Sequence, residues 1–228
     1  MQTDWLVQQI SQFARLLAVI LGLKKREEYR AAQETIEEAL NTLLDLDLNK
    51  LRELSRTELF HRLTIAETTM VGREKVLFAA ALLDQAGDIH AAQEQVEMSA
   101  ACYAQALHLL LELLVTDEHV SLPNYAPTVE DVLAKVDPET LPLETHHVMM
   151  LYFEKIGAFA QAEDALFEML NAVIGDDETT ADLIVIGDMF YEQLQQQSDA
   201  ALSAGNFTRS EIASGINDLH RYLSGEKE

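Results

Sequence analysis

Two Glu-x-x-His motifs, Glu58 with His61 and Glu144 with His147, come nearest in this 228-residue chain to the spacing of a metal site. Di-iron and di-manganese helical bundles carry such a motif on each of two helices and a further glutamate on each of two others. Three features weigh against that chemistry. Ser55 stands three positions before Glu58, the spacing of a capping box in which the glutamate serves the backbone. Glu144 lies at a helix start beside Pro142, where a carboxylate answers the helix dipole. His146 and His147 are adjacent, so on a helix they point in different directions and do not share one ion.

The single cysteine, Cys102, would need an activating neighbour to act as a nucleophile. It sits among Ala100, Ala101 and Ala104 on an apolar-rich helix and reads as an inert core thiol. The acidic pairs Glu27-Glu28 and Glu37-Glu38 have polar neighbours and read as solvated surface. No Gly-rich phosphate loop, Gly-x-Ser-x-Gly elbow or spaced cysteine cluster occurs. No catalytic, cofactor-binding or metal-binding residue is assigned, and the chain reads as a non-enzyme without a cofactor.

The elements that would position any site are helices. Almost every segment has a 3.6-residue apolar period, and no stretch alternates long enough to argue for a strand. The spacing predicts about ten helices, over 4–22, 28–45, 56–63, 68–86, 89–115, 129–136, 143–156, 159–174, 179–203 and 209–223. Ser55 with Glu58 and Thr208 with Glu211 fit capping boxes, and Asp137 before Pro138 fits an N-cap. Gly87, Gly157 and Gly205 sit where helices are expected to stop. In the first segment Leu6, Ile10, Phe13, Leu17 and Ile20 share one face, which Val7, Ala14, Leu16, Val19, Leu21 and Leu23 widen almost all the way around. Other helices of the chain, a second copy, or a membrane surface met by Lys24, Lys25 and Arg26 would cover it, in falling order of preference.

A short pattern recurs four times: a large residue three positions before a small one, placed after a helix break. The copies are Glu27 to Ala32, Gly87 to Ala92, Gly157 to Ala162 and Gly205 to Ser210. In three copies the next helix continues the face: Tyr29, Ala32, Ile36, Ala39, Leu43; Ile89, Ala92, Val96, Ser99, Tyr103; and Phe159, Ala162, Leu166, Met169, Val173. Each copy implies an antiparallel helix hairpin. The pattern resembles the second half of a tetratricopeptide repeat, with its Gly-x-aromatic-x-x-Ala turn and a small residue seven positions later, matched by Ala39 and Ser99. Met169 and Asn217 depart from it, and the copies lie 60, 70 and 48 residues apart rather than at a regular period. Asp4 to Leu44, and Tyr152 to Gly157 with Ala162 to Phe167, also resemble a bacterial family of unknown function built from such hairpins. The resemblance implies an all-α, irregular tetratricopeptide-like stack of antiparallel hairpins, and no activity.

Composition bounds the function. Sixteen Lys and Arg against 39 Asp and Glu leave a net charge of −23, which disfavours a nucleic-acid binder because phosphate backbones are gripped by clustered cations. Residues 1–75 carry −1 and residues 76–228 carry −22. The lone cysteine, and an opening with Asp4, Gln8, Gln9, Gln12 and Arg15 in the first apolar helix, fit a cytoplasmic protein without an export signal. The apolar run from Leu16 to Leu23 is shorter than the ~20 residues that cross a bilayer, so no membrane partner is expected. Pro123, Pro127, Pro138 and Pro142 cluster in one stretch. They divide the chain into N-terminal hairpins (1–116), a connection with a short helix (117–142) and C-terminal hairpins (143–228), packed as one body. Stacked hairpins create grooves, so the expected function is a protein-protein interaction scaffold whose partner is another protein or peptide, basic if the acidic part recruits it. The alternative is a homodimer through the first helix, in which polar replacements of Leu17 and Ile20 would give a monomer; a di-metal carboxylate enzyme is the remote third reading.

Overall fold

In the computed structural model, which describes residues 2–46, 51 and 54–224, the chain is all-α. Eleven α-helices are found among the described residues: α1 (Gln2–Lys25), α2 (Tyr29–Leu44), α3 (Arg56–Thr64), α4 (Thr69–Ala92), α5 (Val96–Thr116), α6 (Val129–Leu133), α7 (Leu143–Lys155), α8 (Phe159–Ala172), α9 (Asp177–Gln196), α10 (Asp199–Ala204) and α11 (Arg209–Ser224). A 3₁₀ turn, Pro138–Thr140, precedes α7. Helices pair as α1 with α2, α4 with α5, α7 with α8 and α9 with α11. They form two compact units, Met1–Leu141 and Pro142–Glu228. The units carry 12 basic against 23 acidic residues and 4 against 16, so the charge step near residue 75 falls inside the first unit.

Four helix-helix turns share one backbone solution. The N–H groups of Glu28, Gln95, Ala158 and Phe207 donate to the carbonyls five residues back, those of Leu23, His90, Phe153 and Leu202. Before each donor stands a residue with positive φ: Glu27 (60°), Glu94 (60°), Gly157 (77°) and Asn206 (56°). This is the Schellman C-cap, which satisfies carbonyls that the helix end would otherwise leave open. Glycine is favoured there because it has no Cβ penalty, yet only one of the four turns uses it.

That chemistry corrects the second hairpin. Gly87 does not end a helix; α4 runs through it to Ala92, and the break comes at Gln93 to Gln95. Ile89, Ala92, Val96, Ser99 and Tyr103 therefore do not form one continuous face: Ile89 is buried, while Val96 opens α5 at 75% exposure. Gly87 instead admits the neighbouring helix. A Cβ there would lie 2.6 Å from Tyr103 Cδ1, and the Ser99 hydroxyl donates to the Gly87 carbonyl at 3.0 Å. Ala79, Ala80 and Ala81 are all buried on α4, where three consecutive residues point to different sides, so the helix is covered on several sides.

Other expectations are refined. Ser55 and Glu58 make the reciprocal capping box at α3, and Asp137 caps the 3₁₀ turn. Thr208 accepts from the Glu211 N–H at 3.3 Å. The helix expected over 179–203 is two, because Ser198 accepts from the Ala201 N–H and starts α10 anew. In α1, Phe13 and Ile20 are wholly buried and Leu17 nearly so. Phe13 stacks on Phe78 at 4.2 Å between ring centroids, and Tyr125 meets both rings edge-on or tilted. Leu17 and Ile20 thus hold α1 to its own unit, and polar residues there would disrupt the fold rather than divide a dimer.

Candidate functional site

The inner apolar residues of α2, α4 and α5 leave a groove of about 540 Å³ in the first unit. Its floor is Ile36 and Leu40 from α2, Leu83 and Ala86 from α4, and Leu51. Each of these is under a tenth exposed. Met98, Ala101 and Cys102 form the α5 wall, and Gln33, Glu37, His90, Gln105 and Arg56 supply polar groups. The volume falls in the range of preformed ligand sites, which are mostly apolar with a few polar groups to fix orientation.

The residue spacing explains the groove. On α2, Ile36 and Leu40 stand four apart in one row and supply floor, while Gln33 and Glu37 stand four apart in the adjacent row and supply rim. Three hydrogen bonds set the rim, each with a glutamine side chain. Gln33 Nε2 donates to Gln93 Oε1 at 3.3 Å, Gln105 Nε2 donates to the Leu51 carbonyl at 3.5 Å, and His90 Nδ1 meets Gln95 Oε1 at 2.6 Å. The groove offers an apolar surface edged by the amides of Gln33 and Gln105, His90 and the charged Glu37 and Arg56, chemistry that seats apolar side chains and orients a backbone.

Another side of α4 carries an ion network that the sequence does not announce. Lys24 Nζ donates to Asp88 Oδ2 and to Gln85 Oε1, both at 2.6 Å. Lys135, from the proline-containing connection, reaches Asp84 at 2.6 Å and Asp88 at 3.0 Å and lies 5.1 Å from the centre of the Tyr103 ring. The Tyr103 hydroxyl donates to Asp88 Oδ1 at 2.8 Å. Burial pushes the Asp88 carboxyl up, but hydrogen bonds from Lys24, Tyr103 and Lys135 outweigh it and hold the group below the usual carboxylate range. Asp84 goes the other way: burial raises it and Lys135 offsets only part of the rise. Burial lowers Lys135, yet its two aspartates leave it above an ordinary lysine. The network pins α1 and residues 117–141 to α4, behind the groove.

In the second unit the Tyr191 hydroxyl donates to Glu163 at 2.5 Å, beneath Gly215, where no Cβ would fit. Burial raises the Glu163 carboxyl, and Asp164, Glu211 and Asp218 add to the rise. A second cavity, about 650 Å³, lies among Leu151, Glu154, Phe159, Leu194 and Ala201. Glu154 Oε1 is buried there without a hydrogen-bond partner, and burial raises its carboxyl.

The residues singled out by spacing do not converge. Glu58 and His61 lie on α3 of the first unit, with Glu58 engaged by Ser55; Glu144 and His147 lie on α7 of the second. Among the described residues no group of three or more His, Cys, Asp or Glu side chains is placed to hold a metal ion. Cys102 is half-buried on the groove wall instead of lying in the core. Glu27, Glu28, Glu37 and Glu38 are exposed, as expected, although Glu37 borders the groove.

Comparison with known proteins places the chain in a family but assigns no activity. A model described as a family of unknown function, DUF6483, matches residues 1–224. No curated protein and no solved structure matches the chain. The chain belongs to the DUF6483 family, whose function is unknown.

Proposed function

We propose that this family member is a non-enzymatic, cytoplasmic scaffold that binds a protein or peptide segment by seating one or two apolar side chains in the α2/α4/α5 groove. The observation that carries the reading is the groove itself: an apolar floor of five buried residues, open to solvent and edged by polar side chains. Apolar anchors entering such a recess are the usual source of affinity in peptide recognition. The first unit's excess of acidic residues favours an anchor flanked by Lys or Arg, through steering more than through contact. An irregular tetratricopeptide-like stack would present such a groove between consecutive hairpins.

The test is selection of a displayed random-peptide library on the full chain, with counter-selection on Ala101→Trp. Ala101 is exposed on the groove wall, so an indole there fills the recess without entering the core. The expected peptides share large apolar residues with basic flanks and lose at least about tenfold in affinity for the filled variant, roughly 1.4 kcal/mol. Peptides that bind both proteins equally, or none above background, would remove the reading.

A further inference from the structure

The cavity of the second unit holds a polar group that the fold leaves unanswered. Glu154 lines this recess of about 650 Å³ together with the apolar side chains of Leu151, Phe159, Leu194 and Ala201. Its Oε1 is buried without a hydrogen-bond partner among the described residues. An acceptor buried in that way costs free energy, the more so when it carries charge. Lys155, at the mouth, is exposed, whereas Glu154 is half-buried, and burial rather than a neighbouring charge is what shifts the Glu154 carboxyl. Groups perturbed like this in a recess cluster at functional sites.

The backbone around the cavity favours positive charge. Glu154 stands in the last turn of α7, and Gln193 and Leu194 stand in the last turn of α9, so two helices bring their C-terminal ends to one recess. Each such end carries the equivalent of roughly half a negative charge. At the end of α9 the Gln195 and Gln197 carbonyls already accept from the Arg209 guanidinium, which shows the kind of group these ends attract. The opposite pole, at the start of α8, is partly answered within the chain: the Ala160 N–H donates to the Gly205 carbonyl at 3.2 Å. Gly205 also lies so close to the Gly157 carbonyl that a Cβ there would collide with it. The α7–α8 turn and the end of α10 are thereby locked together, and two walls of the cavity are fixed in advance.

We propose that this cavity binds a small primary amine, with the ammonium group on Glu154 and the hydrocarbon stem against Leu151, Phe159 and Leu194. The terminal torsion of a glutamate is broad and two-fold, so either carboxylate oxygen can turn to the ligand. Sixteen acidic against four basic residues in this unit draw cations toward it. A hard metal ion would need several oxygen ligands, and among the described residues no acidic group is assembled to supply them. The lining comes from helix ends, one or two turns from each, which makes a recess of small-molecule size rather than a groove running along helices.

Titration calorimetry of the full chain at pH 7 with hexylamine, hexan-1-ol and hexanoate tests the assignment. Hexylamine should bind with a Kd at or below about 1 mM, and the neutral and anionic analogues at least about tenfold more weakly. Glu154→Gln should lose at least about tenfold in hexylamine affinity while melting no lower than the parent. Ala204→Trp, at an exposed position on the cavity edge, should block binding with helicity unchanged, and Ala101→Trp should bind as the parent does, separating this site from the groove of the first unit. No saturable binding of hexylamine up to about 10 mM overturns the proposal. So does equal affinity for hexan-1-ol, an unchanged affinity in Glu154→Gln, or tighter binding of Nα-acetyl-lysine methylamide, which would make the occupant a protein's lysine side chain instead of a free amine.

Discussion

Gly87→Ala should destabilise the first unit although alanine is the better helix former. In the interior of α4 the substitution would gain about 1 kcal/mol from backbone propensity. Against this, the new Cβ would stand 2.6 Å from Tyr103 Cδ1 and 2.9 Å from Cζ, and Tyr103 is 5% exposed with little room to retreat. Overpacking of this kind costs about 1–3 kcal/mol. Moving the ring also draws its hydroxyl from Asp88, a charge-assisted bond worth about 1.5 kcal/mol at the lower end, since Lys24 and Lys135 remain on that carboxylate. The net is about 2 kcal/mol of destabilisation. A urea titration followed by far-UV circular dichroism measures the loss of helix. Once Tyr103→Ala removes the clash, Gly87→Ala should gain its propensity term of about 1 kcal/mol, so the double-mutant cycle should show a favourable coupling of about 3 kcal/mol. A Gly87→Ala variant as stable as the parent, or a cycle without coupling, would refute the close-approach role of this glycine.

Three further outcomes test other parts of the structure. Glu94→Gly should stabilise by about 0.5–1 kcal/mol and Gly157→Ala should destabilise by a similar amount, because both positions hold positive φ; denaturation midpoints with opposite signs check this. Asp88→Asn should cost the first unit about 2 kcal/mol at pH 7 by leaving Lys24 and Lys135 without their shared carboxylate. The folded-state pKa of Asp88 is depressed, so its contribution is full above the unfolded value, near 4, and is lost as pH falls through the lower folded value; the difference between variant and parent should close in that window. Glu154→Gln should raise the melting temperature of the second unit at pH 7. Burial raises the carboxyl's pKa, so ionisation weakens the fold above that folded value, and the gain should vanish below about pH 4, where the parent is protonated in both states.

Most helices were legible because long amphipathic segments carry their period in every turn: α1, α2, α8 and α11 fall within a few residues of the expected ranges. Gly87 misled because glycine serves two purposes, ending a helix and admitting a neighbour, and composition does not separate them. Glu94 hid the true turn, since glutamate rarely takes positive φ. The register of Val96, Ser99 and Tyr103 against Tyr29, Ala32 and Ile36 was the available signal. The box of Thr128 with Asp131 escaped because its third helical residue is aspartate instead of glutamate. The groove and the ion network were not legible. Leu40, Leu83 and Cys102 lie on three helices, and Lys135 meets Asp84 across 51 residues, so no local pattern links them.

Because Cys102 is the only cysteine and lines the groove, its chemistry reports occupancy without any added probe. The most direct measurement is the rate at which iodoacetamide alkylates Cys102, with and without a saturating peptide from the selection. The scaffold reading predicts at least about a tenfold slowing on peptide binding, because groups buried in a filled recess lose solvent access. An unchanged rate with the peptide demonstrably bound would place the binding surface elsewhere and contradict it.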